Sequence, residues 1–330
     1  MPARGAAGAA VGSHRIGEAR MLATVVRRWV LGAGAAVFVV VGVLLHATGN
    51  TAIRPSEDYA QGQLWSLWIP VAAGMLLVRL LPWRAPEEEL DQRVRAALSG
   101  HPLRREVLFL LGCVVGFAFG DRALDAAFGL VDPSLSALSY HTAKVLFLLI
   151  APVAIIGSAG VMRYSHGPDI PAVAMRVGER WRWAGLAAIA GYLALSVLAP
   201  WTTPLPTPRT LPDEYTLVVR LLLTLTTSAL LEEVFYRSLL QTRLELLLGR
   251  WPGIVAAALV YGVGAAIGTH VYHGAVLGLC MGIAVQGAAG LLFGYLWSRY
   301  RNLWLNFLLH TGTSALPVLP LVSEAVLLWT

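Results

Sequence analysis

Charged residues and cysteine are both scarce in this sequence. Only 13% of the 330 residues are charged, whereas 57% are hydrophobic, and the mean hydropathy is +0.65. This composition excludes an ordinary soluble domain and indicates a polytopic membrane protein. The two cysteines, Cys113 and Cys280, both fall inside predicted spans, which argues against a disulfide framework and gives no metal-ligand spacing. Redox chemistry is therefore not expected.

Lysine is almost absent, since Lys144 is the single lysine among 25 basic residues. The net charge of +6 therefore comes from arginine. An arginine excess beside abundant alanine is typical of a coding bias and not of a nucleic-acid-binding surface, so no nucleic-acid partner is predicted.

Long apolar segments predict an all-α fold, a polytopic membrane helix bundle with eight or nine transmembrane helices. The predicted spans lie near residues 30–47, 63–82, 106–120, 143–163, 183–200, 215–240, 252–269, 275–298 and 303–315. Arginine clusters precede the first span and follow alternate later ones, which places the amino terminus in the cytoplasm by the positive-inside rule. The predicted location is the bacterial inner membrane, with a first span that is retained and not cleaved.

Three regions differ in character. Residues 1–175 form a predicted amino-terminal extension of about four spans, and a surface helix from Pro86 to Leu98 is expected between its second and third spans. Residues 176–316 hold nearly all the buried polar residues and are therefore the predicted catalytic bundle. Residues 317–330 form an apolar tail.

The segment Leu231–Arg237 places two carboxylates and a guanidinium in a predicted span. Each ionised side chain near a helix centre in a membrane costs roughly 2.5–3.5 kcal/mol, which points to a functional site. On a helix, Glu233 and Arg237 lie four residues apart and can neutralise each other. Glu232 is expected to remain unpaired and, in a low-dielectric cleft, to suit a general base that takes a proton from water. The structural alternative is a buried ion-pair network that only locks helices together.

His310 lies about eight residues, or roughly 12 Å, inside the cytoplasmic end of the last span. Glu232 lies about eleven residues, or roughly 16 Å, from the same side. The two depths are compatible, so a water-activating and oxyanion-stabilising pair is plausible at one level of the membrane. A histidine that only makes structural hydrogen bonds is the alternative.

These residues carry a family resemblance. EEVFYR matches the EExxxR first motif of the CPBP family, the CAAX-protease and bacteriocin-processing enzymes, also called Abi proteins or glutamic intramembrane proteases. The segment GLLFGYLWSRYRNLWLNFLLHTGTS is similar to the family's last two helices, in which a glycine-rich span and a tryptophan precede a catalytic histidine. The similarity covers roughly residues 180–315.

Two positions depart from the family pattern. In the stretch that resembles the FxxxH second motif, Tyr261 stands at the phenylalanine position and Ala265 where the histidine is expected. Either His270 or His273, just beyond, substitutes through a broken or shifted helix, or the site works without that imidazole. The third motif, HxxxN, ends at Ser314, whose hydroxyl can still donate a hydrogen bond or can simply pack as a small residue.

The resemblance implies an intramembrane endopeptidase that hydrolyses a peptide bond in a membrane-anchored or membrane-adjacent protein substrate. The implied catalytic set is Glu232, Glu233, Arg237, His270, His310 and Ser314. Glu232 would activate water, Glu233 and Arg237 would hold its orientation, and His310 with Ser314 would stabilise the oxyanion. No cofactor is expected, although glutamate and histidine sets can also ligate zinc. The expected partners are the lipid bilayer and the peptide substrate.

Narrower and competing hypotheses remain open at this point. The composition and the extra amino-terminal spans suggest the myxosortase branch of the family, which is thought to process carboxy-terminal sorting tails. The incomplete FxxxH motif favours instead a non-catalytic relative that acts as a membrane scaffold or immunity protein. A small-solute transporter would also bury charges, but the sequence has no evident inverted repeat.

Overall fold

The computed structural model describes residues 4–53, 62–82, 84–156, 170–199, 225–267 and 274–315, with a few positions between 215 and 223. Almost all of this part of the chain is helical. The helices are α1 Arg4–Ala47, α2 Leu64–Leu80, α3 Glu87–Ala97, α4 Leu103–Val131, α5 Ser139–Ile156, α6 Ile170–Met175, α7 Gly185–Leu198, α8 225–248, α9 Arg250–Ile267, α10 Ala275–Tyr300 and α11 Leu303–Ala315. Short 3₁₀ turns at Pro133–Leu138 and Arg180–Trp183 precede α5 and α7. Strands β1 (Ala52–Ile53) and β2 (Gly62–Gln63) pair antiparallel.

Six described helices are long and apolar enough to cross a membrane, and the 17-residue α2 is a shorter apolar helix. The six long helices lie at Thr24–Ala47, Leu103–Val131, Ser139–Ile156, Arg180–Leu198, Arg250–Ile267 and Ala275–Tyr300. The all-α, multi-pass membrane fold is thus confirmed, whereas the count of eight or nine spans is not. The described part of α8 carries too many charges for such a span, and the described part of α11, with 13 residues, is only about 20 Å long at 1.5 Å per residue.

The main hydrophobic core joins the amino-terminal helices to α8. Phe235 and Leu240 of α8 are fully buried and pack in one cluster with Leu110 and Phe117 of α4 and Leu148 of α5. Each large side chain removed from contact with solvent or lipid in this way also gains dispersion contacts. Helices α4 and α5 therefore form part of the wall on which the charged helix rests.

Helices α9 and α10 approach each other at backbone distance. A Cβ atom added at Gly262 would lie 2.9 Å from the carbonyl oxygen of Gly282 and 2.9 Å from Cα of Ile283. Only glycine leaves room for this contact, as is common where membrane helices cross closely. The contact fixes the position of α9 beside α10, and α9 thereby forms one wall of the candidate active site.

The predicted surface helix is present as α3. Its apolar residues Leu90 and Val94 are buried, while Glu87 forms ion pairs with Arg250 at 2.5 Å and Arg299 at 2.9 Å. Arg250 begins α9 and Arg299 lies at the end of α10, so α3 binds the end of the bundle at which these arginines lie.

A second ionic contact fastens α3 to the segment before α7. Arg93 pairs with both Glu89 and Glu179. Although burial raises the pKa of the Glu179 carboxyl, hydrogen bonds from Arg93 and Arg182 lower it to about 2. Glu179 is therefore ionised at neutral pH and holds both arginines. The predicted tail, residues 317–330, lies outside the described residues.

Candidate active site

The two adjacent glutamates lie where α8 departs from regular α-helical geometry. Residues Leu225–Leu230 and Glu233–Gln241 are π-helical. Such segments are rare and occur frequently at functional sites, because the wider turn redirects side chains and backbone groups. In α8 the second segment carries Glu233 and Arg237 into the protein interior, where both side chains are completely buried.

Glu233 is held by three neighbours. Arg237 Nε lies 3.3 Å from Glu233 Oε2, so the expected ion pair is present. Asn306 Nδ2 donates to the same oxygen at 3.0 Å, and His310 Nδ1 lies 2.9 Å from Oε1. A carboxylate that accepts three such contacts has its orientation fixed and little capacity left for a substrate.

His310 lies between the two carboxylates. Its Nδ1–H donates to Glu233, because the ion-paired carboxylate can only accept. Its Nε2 faces Glu232 and is 3.8 Å from Oε2 of that residue. This gap is too long for a direct hydrogen bond, but a water or a substrate oxygen about 2.8 Å from both atoms would contact each of them. The predicted meeting of Glu232 and His310 at one level is therefore present in the fold.

Glu232 has a basic partner, so the expectation that its carboxylate is unpaired is wrong. The Lys144 ammonium of α5 forms an ion pair and hydrogen bond with Glu232 Oε1. The Glu232 side chain is still 11% exposed, whereas that of Glu233 is 0% exposed. The partner was missed because it lies 88 residues earlier in the chain, and a helix-spacing argument covers only neighbours within one turn. The signal that could have found it is the single lysine inside a predicted span.

Asn306 is a second residue that the sequence reasoning missed. It lies four residues before His310 on α11 and therefore on the same face. Besides Glu233, its amide donates to the carbonyl oxygen of Phe293 at 2.9 Å. The spacing from His310 was the available signal, and the amide ties the histidine helix to both α8 and α10.

Aromatic rings enclose the charged groups. The rings of Tyr261 and Phe293 lie 6.4 Å and 5.3 Å from the His310 ring, measured between centroids. The Arg237 guanidinium lies 5.0 Å from the Tyr261 centroid and 5.6 Å from that of Phe293, at cation–π distance. The rings remove water from around the ion pair, which strengthens the electrostatic interactions inside the site.

The second-motif face of α9 does line the site. Tyr261 reaches both Arg237 and His310, and Ala265, one turn further along, is half-buried. A Cβ atom added at neighbouring Gly264 would lie 2.2 Å from the Tyr236 hydroxyl oxygen. An aromatic side chain from α8 thus occupies the space that this glycine leaves.

The remaining predicted residues have different outcomes. Ser314 lies on α11 one turn beyond His310 and is half-buried, on the same face of the helix. His270 and His273 lie outside the described residues. Among the residues that the structure describes, no group of three or more histidine, cysteine, aspartate or glutamate side chains could hold a metal ion.

A polar ladder continues from Arg237 along α8. Gln241 Oε1 accepts from Arg237 at 3.5 Å, and Gln241 Nε2 donates to Glu245 at 2.6 Å and to the carbonyl of Gly294 at 2.7 Å. Glu245 in turn pairs with Arg301 at the turn between α10 and α11. These contacts, at every fourth residue of α8, hold α8 against α10. They therefore fix the position of Glu232 and Glu233 along the bundle relative to His310.

The fold and the site together define a multi-pass membrane protein with a buried centre of two glutamates, an arginine and a histidine. Residues 214–316 match the family model described as Type II CAAX prenyl endopeptidase Rce1-like. The resemblance to the CPBP family is thereby confirmed for this segment, which carries the EExxxR motif and His310. The match does not confirm the myxosortase branch. No curated protein and no solved structure matches the chain.

Proposed function

We propose that the protein is an intramembrane endopeptidase of a bacterial inner membrane, which uses a glutamate-activated water to cleave membrane-anchored or membrane-adjacent peptides. The observation that carries this proposal is the position of His310 Nε2, which faces Glu232 from 3.8 Å while Nδ1 is fixed by Glu233. The arrangement lies inside the segment that matches an endopeptidase family model. Residues 176–316 would form the catalytic bundle, and residues 1–175 its extension.

The chemistry requires one water per bond cleaved. Glu232 takes a proton from the water, whose oxygen attacks the scissile carbonyl carbon and forms a tetrahedral oxyanion. The C–N bond then breaks, and the proton held by Glu232 passes to the leaving nitrogen, so that a carboxyl group and an amine are released. General base catalysis of this kind contributes roughly 10²–10⁴-fold to a rate.

The other side chains would hold this geometry. Glu233 fixes the His310 ring through Nδ1, and a protonated Nε2 donates to the oxyanion. Ser314, one turn along the same face of α11, would add a second donor. Arg237 and Asn306 keep the Glu233 carboxylate in place. Preorganised donors aimed at a developing charge are commonly the largest contribution to such a reaction.

The family description suggests the first substrate class to test. A prenyl group on a peptide's cysteine is an apolar anchor that would hold the scissile bond beside the bilayer, near a site set within membrane helices. We therefore use as probe an internally quenched, farnesylated peptide that ends in a cysteine, two aliphatic residues and a variable residue. Carboxy-terminal sorting tails are the alternative substrate class within the same activity.

A non-catalytic scaffold is the second candidate function. It is favoured by the Glu232–Lys144 ion pair, which neutralises the proposed base, and by Ala265 at the position of the second-motif histidine. Under this hypothesis the buried charges serve only to lock α5, α8 and α11 together.

The experiment compares the full-length wild-type protein with Glu232→Gln in proteoliposomes. Cleavage of the farnesylated peptide is followed by fluorescence, and the membrane proteins of expressing cells are profiled for new chain termini. We expect Glu232→Gln to lower the cleavage rate about 100-fold or more, because a neutral amide cannot take the proton.

Glu88→Gln, the same substitution at an exposed acid of α3, is the matched control and should cleave at the wild-type rate. Folding of each variant is checked by its melting temperature. If Glu232→Gln is folded and yields the same products at the wild-type rate, the glutamate mechanism is wrong. If neither assay shows a product that depends on the wild-type protein, the scaffold hypothesis replaces the enzyme.

A further inference from the structure

Lys144 is a buried cation that the family pattern does not supply. It lies on α5, 70 residues before the matched segment begins at residue 214, and its side chain is 4% exposed. Besides its ion pair with Glu232, its ammonium donates to the Ser228 hydroxyl at 3.3 Å and lies 4.5 Å from the centroid of the Tyr140 ring. All three contacts lie inside the described part of the protein.

The contact between α5 and α8 is specific and not a single accidental approach. His141, one turn before Lys144 on α5, places Nδ1 3.0 Å from the hydroxyl of Thr227, which is next to Ser228 on α8. The two polar contacts fix the register of α5 against α8. Lys144 is therefore held at the height of Glu232 by its neighbours on both helices.

Each carboxylate of the resting site has its own cation. Arg237 compensates Glu233 and Lys144 compensates Glu232, so the doubly protonated His310 ring is not needed to neutralise either of them. Without Lys144, the negative charge of Glu232 would stand without its cation in a low-dielectric site beside a second carboxylate, which is costly.

We propose that Lys144 is a positioning residue of the catalytic site, which orients the Glu232 carboxylate and compensates its charge in place of the imidazole missing at Ala265. This inference rests on the proposed hydrolysis. When Glu232 takes the proton of the water, the negative charge moves from its carboxylate to the oxyanion, and the Lys144 ammonium stays in the site as its counter-charge. No charge is created in the low-dielectric site during this step, which is why the cation lowers the barrier.

Activity measurements test the role with matched variants. Lys144→Met keeps the length of the side chain and removes its charge, whereas Lys144→Arg keeps the charge. Per folded protein, Lys144→Met should lower kcat on the farnesylated peptide about 100-fold and leave KM within about threefold, because the lysine acts on the reaction and not on peptide binding. Lys144→Arg should retain a measurable part of the rate. If Lys144→Met keeps more than half of the wild-type kcat while Glu232→Gln is inactive, the inference is wrong and the proposed function stands.

A chemical readout is independent of activity. Because the chain has a single lysine, reductive methylation with formaldehyde and cyanoborohydride, followed by mass spectrometry, reports one side-chain amine. The wild-type protein in liposomes should react slowly at Lys144, and Glu232→Gln should speed the reaction about tenfold by releasing the ammonium. Glu88→Gln, which removes an exposed carboxylate of α3, is the control and should leave the rate unchanged.

The labelling and activity measurements together distinguish a failure of the proposed lysine role from a failure of the proposed function. Equal labelling of wild type and Glu232→Gln would show that the pair does not hold the amine, and the inference would be overturned whatever the activity. Labelling that responds to Glu232→Gln, together with full activity of that variant, would overturn the proposed function and with it the catalytic role of the lysine. Slow wild-type labelling, release by Glu232→Gln and loss of kcat in Lys144→Met are the expected results.

Discussion

Arg237→Met is the substitution that most directly tests whether the buried ion pair organises the site. The guanidinium and the Glu233 carboxylate are both 0% exposed, and their closest atoms are 3.3 Å apart. Methionine fills much of the same volume without a charge, so the variant leaves the carboxylate buried without its cation. The result depends on how well the other neighbours of Glu233 compensate for that loss.

The expected magnitude follows from the contacts that remain. Removal of one partner of a buried ion pair costs about 3–5 kcal/mol. Glu233 would keep its hydrogen bonds with Asn306 and His310. In addition, Arg237 Nη2 has no hydrogen-bond partner in the described part of the chain, so the substitution also removes an unsatisfied donor that costs about 1–3 kcal/mol. At the midpoints of these two ranges, the net destabilisation is about 2 kcal/mol.

The chain offers a convenient assay of this loss. Its two cysteines, Cys113 and Cys280, are both free and buried, so a thiol-reactive fluorogenic dye reports thermal unfolding of the purified protein. At about 2–4 °C per kcal/mol, the melting temperature of Arg237→Met should fall by roughly 4–8 °C. The matched control is Glu89→Gln, which removes an exposed partner of Arg93 on α3 and should leave the melting temperature nearly unchanged.

The double variant Glu233→Gln/Arg237→Met removes both charges and should regain at least half of the lost melting temperature, because no uncompensated charge remains. The reasoning is refuted if Arg237→Met melts within about 1 °C of the wild type, or if the double variant is no more stable than the single one. Either result would mean that water or another group already compensates the Glu233 carboxylate.

Two further substitutions test the α9 wall of the site. Gly262→Ala should lower the melting temperature by several degrees, because its methyl group would press on the Gly282 carbonyl, which cannot rotate away. Gly112→Ala, whose added Cβ has no atom within 4 Å, is the control and should leave the melting temperature unchanged. Equal melting temperatures of the two variants would contradict the close approach of α9 and α10. In a Lys144→Met background, Ala265→His should restore activity on the farnesylated peptide ~10-fold or more by returning an imidazole to the site. No restoration would show that position 265 does not reach the reacting groups.

Much of the fold follows from the sequence because hydrophobicity is a local property. The all-α membrane fold and the amphipathic α3 were predicted from apolar runs and from periodicity, and both are present. The number of spans was not confirmed, because the described part of α8 carries several charges and the described part of α11 has only 13 residues.

The candidate site likewise contains some contacts that the sequence predicts and others that it does not. The Glu233–Arg237 pair was predictable because its residues are four apart on one helix. The approach of His310 to Glu232 was expected from their compatible depths in the membrane. Which carboxylate the imidazole binds was not predictable, since this depends on the rotation of α11 about its axis. The Asn306 contact with Glu233 depends on the same rotation.

By itself, the sequence determined the membrane environment, the presence of a costly charged segment and the pairing of charges within one helical turn. Only the tertiary structure decided the partner of Glu232, because Lys144 reaches it from a helix 88 residues away in the chain. Spacing along a helix constrains neighbours within one turn, whereas the register and rotation of packed helices are set by side chains spread over the whole bundle.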